Sequence, residues 1–246
     1  MRTPGSVGMY GARMVDPVTL VQDGDVAVIT LDDGKANALS FAVLDGLNEA
    51  LTAAEASAKA VVLVGREDKF SAGFDLKVMT GSIEDARNLL SGGALLGLRL
   101  FTFPMPVVLG VTGHALAMGG ILTTTADYRV GAEGNYKLGL NEVAIGMPVP
   151  SFGVELCRDR LSPAWFTRCV QNATLCSPTE AVEAGFLDEV VGLDGVEARA
   201  RVVAAQFAET VHPGPFRMTR QTIRGALAEQ LRIGLAADMA RFDVSA

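Results

Sequence analysis

The apolar residues of this chain come in short blocks cut by glycine, proline and acidic breaks. Residues 18–21 and 26–31 flank Gln22-Asp23-Gly24-Asp25, and an Asp-Gly pair between two apolar runs predicts a β-hairpin. Residues 32–37 form a polar loop. Ser40 then stands as N-cap of a helix to about residue 56, with Leu44, Leu47 and Leu51 on one face. Residues 60–64, 106–111, 128–130 and 186–191 read as strands, the first two as unbroken apolar runs buried on both faces. A helix is expected over 84–101, interrupted or loosened at Gly92-Gly93. Another is expected over 121–126, where Thr123, Thr124 and Thr125 are poor helix formers that packing must hold. Helices follow over 150–160 and 163–170, each with proline at or near its first turn. Ser177 and Glu180 make a capping box for a helix over 179–184, with Gly185 at C′. Residues 194–211 and 216–242 are largely helical.

Strands that alternate with helices through two thirds of the chain predict an α/β fold with mostly parallel pairing. Three regions are expected: a loose, Gly-rich extension over 1–15, a core domain over 16–192 and a helical region over 193–246. The first region lacks the apolar stretch of a secretory signal. Residues 100–126 carry no Asp, Glu, Lys or Arg, long enough to raise the question of a membrane span. Pro104, Pro106, Gly110, Gly113, His114, Gly119 and Gly120 argue instead for a buried strand, a turn and a buried helix.

Composition narrows the classes further. Hydrophobic residues make up 49% of the 246, enough for a large core. A net charge of −7 argues against nucleic acid as a partner. Cys157, Cys169 and Cys176, an odd number without CxxC spacing, read as buried free thiols in a reducing, cytoplasmic setting. His114 and His212 are too few and too far apart for a zinc site, so no metal is expected.

The chemistry concentrates in two stretches. Phe70-Ser71-Ala72-Gly73-Phe74-Asp75-Leu76 and His114-Ala115-Leu116-Ala117-Met118-Gly119-Gly120 are small-residue turns, each feeding a helix start. Such turns expose backbone N–H groups, and two of them aimed at one point make an oxyanion hole. Downstream lies Glu142, in the apolar string Leu138-Gly139-Leu140-Asn141-Glu142-Val143-Ala144-Ile145. Desolvation there should raise its pKa toward that of a useful base. An oxyanion hole and one carboxylate suffice to move a proton beside a carbonyl. Asp75 has a simpler reading as the cap of its own short helix.

These stretches, with Lys35-Ala36-Asn37-Ala38, Asp127-Tyr128-Arg129 and Glu180-Ala181-Val182-Glu183-Ala184-Gly185-Phe186-Leu187-Asp188, resemble the crotonase (enoyl-CoA hydratase/isomerase) family. The resemblance spans roughly residues 18–246. It implies a spiral of ββα units followed by a helical trimerisation region, assembled as a homotrimer or a dimer of trimers. It implies an acyl-CoA thioester as partner, with coenzyme A entering as part of the substrate and no separate cofactor. The oxyanion donors it implies are the backbone N–H groups of Phe74 and Met118. Met118 departs from the usual glycine, which would narrow the acyl pocket or change the turn. Substrate and coenzyme A contacts fall on Lys35, Ala36, Ala38, Ala72, Asp75, Leu76 and Ile121.

Hydratases of the family use two glutamates. Here Ile121 stands at the first position and Glu142 at the second. Adding water to a 2-enoyl thioester draws on two carboxylates, whereas shifting a double bond needs one. The Gly139-Leu140-Asn141-Glu142 string also resembles the monofunctional Δ3,Δ2-enoyl-CoA isomerases. The resemblance therefore favours isomerisation of 3-enoyl-CoA to 2-trans-enoyl-CoA, with enoyl-CoA hydratase as the rival. A non-enzymatic acyl-CoA-binding or RNA-binding member of the fold is a further alternative.

Overall fold

The computed structural model describes residues 17–241, apart from the side chain of Arg241; the expected extension over 1–15 lies outside the described residues. The hairpin forms as the pattern predicts. β1 (Val18–Asp23) pairs antiparallel with β2 (Val26–Leu31), with Gly24 at φ +56° in the turn. Four further strands, β4 (Ala60–Val64), β7 (Val107–Val111), β9 (Tyr128–Ala132) and the short β11 (Glu189–Val191), add in parallel to give a six-stranded sheet in the order β1-β2-β4-β7-β9-β11. Phe186 and Leu187, expected in the last strand, are buried ahead of it.

Between the long strands the chain makes short ones that two-residue periodicity could not reveal. β3 (Ala38–Leu39) pairs with β6 (Gly73–Phe74). β5 (Asp68–Ser71), β8 (Gly113–Leu116) and β10 (Leu138–Gly139) form a second parallel sheet in the order β10-β8-β5. Each passage of the chain thus runs long strand, short strand, helix. The helices are α1 (Phe41–Ser57), α3 (Ile83–Phe101), α4 (Met118–Thr123) and α5 (Ser151–Arg160), with the single turn α2 (Leu76–Met79) before α3. The fold is the ββα spiral that the resemblance implied.

Both faces of the large sheet are covered, which is why its central strands β4 and β7 are unbroken apolar runs. Ala27, Ile29, Val61, Leu63, Val107 and Leu109 face one core with α1 and α3. Val28, Val62, Val64, Val108 and Val130 face the other, where α8 (Val196–Thr210) lays Val196, Ala200, Val203 and Ala204 across the strands. The helical region expected from 193 onward therefore divides. α8 completes the sheet's second face, and α9 (Pro213–Arg241) folds back over α3 and α5.

Most caps follow the sequence. The Ser40 hydroxyl accepts the Val43 N–H, and Ser177 and Glu180 form the capping box of α7 (Pro178–Ala184), with Gly185 in the left-handed region at φ +103°. Three expectations are corrected. α3 begins at Ile83, capped by Ser82, and runs unbroken through Gly92-Gly93. α4 spans Met118–Thr123, because the hydroxyls of Thr123, Thr124 and Thr125 bond back to the carbonyls of Gly120, Ile121 and Leu122 and close the helix. The helix expected over 163–170 is α6 (Pro163–Phe166) followed by a π-helical turn, Thr167–Gln171.

Asp127, Arg129 and Asp188, from the quoted motifs, hold elements together. Asp127 accepts the Val107 N–H at 2.8 Å and pairs with Arg220 and Arg224 of α9. Buried Arg129 pairs with Asp188, which also takes Arg160 at 2.7 Å. No helix among the described residues is long and apolar enough to cross a membrane.

Candidate active site

Three backbone segments meet beneath one cavity, and glycines set how closely they meet. A Cβ on Gly119 would lie 2.4 Å from the Ser71 carbonyl oxygen, and one on Gly120 would lie 2.6 Å from that of Gly139. One on Gly73, at φ +90°, would lie 2.9 Å from the Ala117 Cβ and 3.3 Å from the Met118 nitrogen. The Phe70–Leu76 stretch, the start of α4 and β10 are thus in backbone contact at distances that only glycine permits. Ala117 N–H also donates to the Gly139 carbonyl at 3.0 Å.

The second turn is itself strained. Ala117 is a non-glycine residue at φ +51°, ψ −123°, where it begins α4 and gives it no side-chain cap. The Met118 N–H is therefore a first-turn donor without a helical acceptor. In the first turn, Asp75 N–H bonds the Leu39 carbonyl at 3.1 Å and Gly73 N–H bonds Ser71 Oγ at 3.2 Å. Consecutive N–H groups of an extended segment point to opposite edges, so that of Phe74 faces away from these partners.

The loop on the other flank is fixed by a network that the sequence reading passed over. Buried Asn37, at φ +53°, donates through Nδ2 to the carbonyls of Leu31, Lys69 and Phe70. Asp33 accepts the N–H groups of Lys35, Asn37 and Ala38. Ser71 Oγ donates to the Asn37 carbonyl at 2.8 Å. Asn37 therefore holds the Ala36–Ala38 backbone against the Ser71 turn. Its position inside the quoted Lys35-Ala36-Asn37-Ala38 string was the available signal.

The cavity encloses about 500 Å³, within the range of small-molecule sites. Of the residues expected at the site, Ala36, Ala38, Ala72, Phe74, Asp75, Leu76 and Glu142 line it. Lys77, Met79, Leu90, Ala117, Asn141, Ile145, Met147, Pro148 and Pro150 complete the wall, and the fold alone brought most of these here. Leu90, Pro148 and Pro150 also border an adjoining cavity of about 370 Å³.

Three expected residues lie elsewhere. Lys35 is exposed outside the wall, with its carbonyl taken by Arg66 at 2.6 Å. The Met118 side chain is buried against α3, its methyl 3.4 Å from where a Cβ of Gly97 would be, so it packs under the cavity and does not narrow it. Ile121 is buried with its Cδ1 2.6 Å from where a Cβ of Gly153 would be, a packed contact between α4 and α5. Gly93 makes comparable room for the Phe74 ring, which explains the glycine pair inside α3.

Glu142 is the buried carboxylate among the described residues, 7% exposed. It opens a single 3-10 turn, Val143–Ile145, closed by Gly146 at φ +84°. Burial raises its pKa above the ordinary carboxylate value, against the opposing pull of backbone hydrogen bonds from Glu142 and Asn141. That burial does not come from its sequence neighbours, since Val143 and Ile145 are exposed. On α5, the buried Cys157 thiol is pushed up by desolvation and by the charge of Glu142. Glu142 Oε2 and Asn141 Oδ1 are both buried without a hydrogen-bond partner among the described residues. Two unsatisfied oxygens on the wall of an apolar cavity suit a ligand that brings protons. Asp75, the other carboxylate on the wall, is engaged in capping α2 through the Lys77 N–H at 2.9 Å.

Comparison with known proteins shows the family and the fold. Residues 22–244 match the family model described as enoyl-CoA hydratase/isomerase. The chain is 32% identical to mouse mitochondrial enoyl-CoA delta isomerase 1 over 226 residues, 88% of this chain and 76% of that one. It is 31% identical to a probable enoyl-CoA hydratase of Bacillus subtilis, over 79% of this chain and 77% of the relative. An enoyl-CoA hydratase/isomerase family structure from Pseudomonas syringae superposes with a TM-score of 0.90 at 39% identity, covering 93% of this chain and 99% of that one.

Proposed function

The chain belongs to the enoyl-CoA hydratase/isomerase family of acyl-CoA-metabolising enzymes, and we propose that it shifts the double bond of 3-enoyl-CoA to the 2-trans position, with Glu142 as the single acid/base. The observation that carries this reading is the single buried carboxylate on the cavity wall. Glu142 is buried at the cavity wall with one oxygen unpaired, while apolar Ile121 packs against α5 at the position of the first hydratase glutamate.

In this reading the thioester oxygen sits between the N–H groups of Phe74 and Met118. Glu142 takes a proton from C2 of the acyl chain. The charge moves to the thioester oxygen as a dienolate, and the same carboxyl returns the proton at C4. Each preorganised N–H contributes about 3 kcal/mol where the negative charge develops. A carboxylate with a raised pKa is better matched to this weakly acidic proton. The apolar wall, with Met79, Leu90 and Met147, takes the acyl chain. Hydration would need a second group to place water, and Asp75, already capping α2, is a poor candidate.

The test is a product assay with purified protein given 3-hexenoyl-CoA and, separately, crotonyl-CoA. Double-bond migration faster than water addition supports the reading, and preferential hydration of crotonyl-CoA overturns it. Ile121→Glu sharpens the same assay, because a carboxylate restored there should raise hydration from its low baseline.

A further inference from the structure

The three cysteines are all buried, and two of them touch. Cys169 and Cys176 have their sulfurs 3.6 Å apart, whereas Cys157 makes no such sulfur contact among the described residues. The segment between the pair is irregular. Cys169 lies in the π-helical turn, and Ala173 is a non-glycine residue at φ +51°. Isolated π-turns and left-handed non-glycine residues are strained features that recur at functional positions.

The far end of this segment is joined to the active site through backbone. Cys176 exchanges two hydrogen bonds with Leu138, at 2.8 and 3.0 Å. The next residue, Gly139, accepts the Ala117 N–H, and Ala117 directly precedes Met118. Glu142 follows three residues after Gly139. Residues 174–175 also pack on Gly139, where a Cβ would lie 3.4 Å from the Thr174 carbonyl and from the Leu175 side chain. Moving Cys176 therefore moves β10, which borders both the second donor turn and the base.

We propose that Cys169 and Cys176 form a reversible dithiol/disulfide site, oxidised by peroxides, whose closure shifts β10 and the Glu142 segment. Cys169 is the attacking sulfur. The hydrogen-bonded contact with Cys176 and the nearby Arg168 lower its pKa, which favours the thiolate. The thiolate attacks one peroxide oxygen, the O–O bond breaks, and the alkoxide or hydroxide leaves with a proton to give a sulfenic acid on Cys169. Cys176 then loses its thiol proton and attacks that sulfur. The S–O bond breaks, water leaves, and the disulfide forms. Two thiols are oxidised and one peroxide is reduced to water and an alcohol, or to two waters. Complete burial restricts bulky disulfides more than a small neutral peroxide.

The experiment uses the whole protein treated with hydrogen peroxide, then alkylated in denaturant. Untreated protein should take three labels, and oxidised protein should take one, on Cys157. The tryptic peptide covering residues 169–199 holds both cysteines, and it should become unalkylated and lighter by two hydrogens. Dithiothreitol should restore three labels. Cys169→Ser and Cys176→Ser should each form no bridge, and Cys157→Ser should still form it. Retention of all three labels, or conversion of these thiols to sulfinic acid without a bridge, overturns the site. Hydrogen exchange should change over residues 138–142 on oxidation in the wild type and not in Cys176→Ser; an unchanged segment overturns the coupling. Neither readout depends on which acyl-CoA reaction the protein catalyses.

Discussion

The floor and the rim of the cavity are built on opposite terms. The floor is backbone against backbone, with Gly73, Gly119 and Gly120 at contacts no side chain could enter and Ser71 tied to Asn37. The rim is side chain and solvent, with Leu76 68% exposed and Ile145 56% exposed. The floor has one arrangement available to it, because displacing a backbone segment breaks several hydrogen bonds together. The rim can repack at little cost. A reaction that places charge on one oxygen needs the first kind of structure, and accommodating acyl chains of varied length needs only the second.

The largest effect should come from breaking the floor. Gly119→Val forces a branched side chain onto the Ser71 carbonyl and separates the two donor turns. Overpacking of about 1 to 3 kcal/mol is expected in denaturant unfolding. With both donors displaced, turnover should fall by about 10⁴ or more, since each oxyanion donor is worth about 10² to 10³. A variant with intact turnover would show that these contacts do not aim the donors.

Glu142→Gln keeps the floor and removes the proposed base. Turnover should fall by about 10² to 10⁴ while acyl-CoA binding survives, as measured by single-turnover kinetics and calorimetry. Wild-type turnover should be lost as pH falls through the raised pKa of Glu142 and recover above it. Stability runs the other way. The folded state keeps this proton over a window in which the unfolded chain has released it, so stability falls as pH rises from the ordinary carboxylate range through the raised value. The Gln variant should therefore unfold later than wild type at neutral pH, by about 1 kcal/mol for relief of a poorly paired buried carboxylate. The difference should vanish below the ordinary carboxylate range.

Met118→Gly tests where the floor ends. The N–H is kept, but the side chain that fills the space against Gly93 and Gly97 is lost. A destabilisation of about 2 to 5 kcal/mol is expected, with acyl-chain preference unchanged. Wider chain tolerance without loss of stability would place Met118 on the cavity wall after all. The smallest effect should come from the rim. Ile145→Ala should leave stability within about 0.5 kcal/mol, as for exposed positions generally. KM for longer acyl chains should rise a few-fold with kcat nearly unchanged, read from a chain-length series.

What the sequence determined by itself is local. The Asp-Gly hairpin, the Ser40 cap, the Ser177–Glu180 box and the unbroken apolar strands depend on residues within a few positions of one another. The motif strings were equally legible, and with them the family. Tertiary structure decided what depends on partners far along the chain. Gly92-Gly93 reads as a helix break until Leu44 and the Phe74 ring arrive to fill the space a Cβ would take. Short strands such as β3 and β10 have too few residues for a period and exist because a neighbouring segment supplies their hydrogen bonds. Met118 looked like a wall residue because the string fixes its backbone, whereas the direction of its side chain is set by α3. Glu142 is desolvated by the packed fold, since Val143 and Ile145 beside it in sequence face solvent. Local sequence sets propensity and pattern, while burial and close approach are properties of two or more segments at once and are defined only when the fold brings them together.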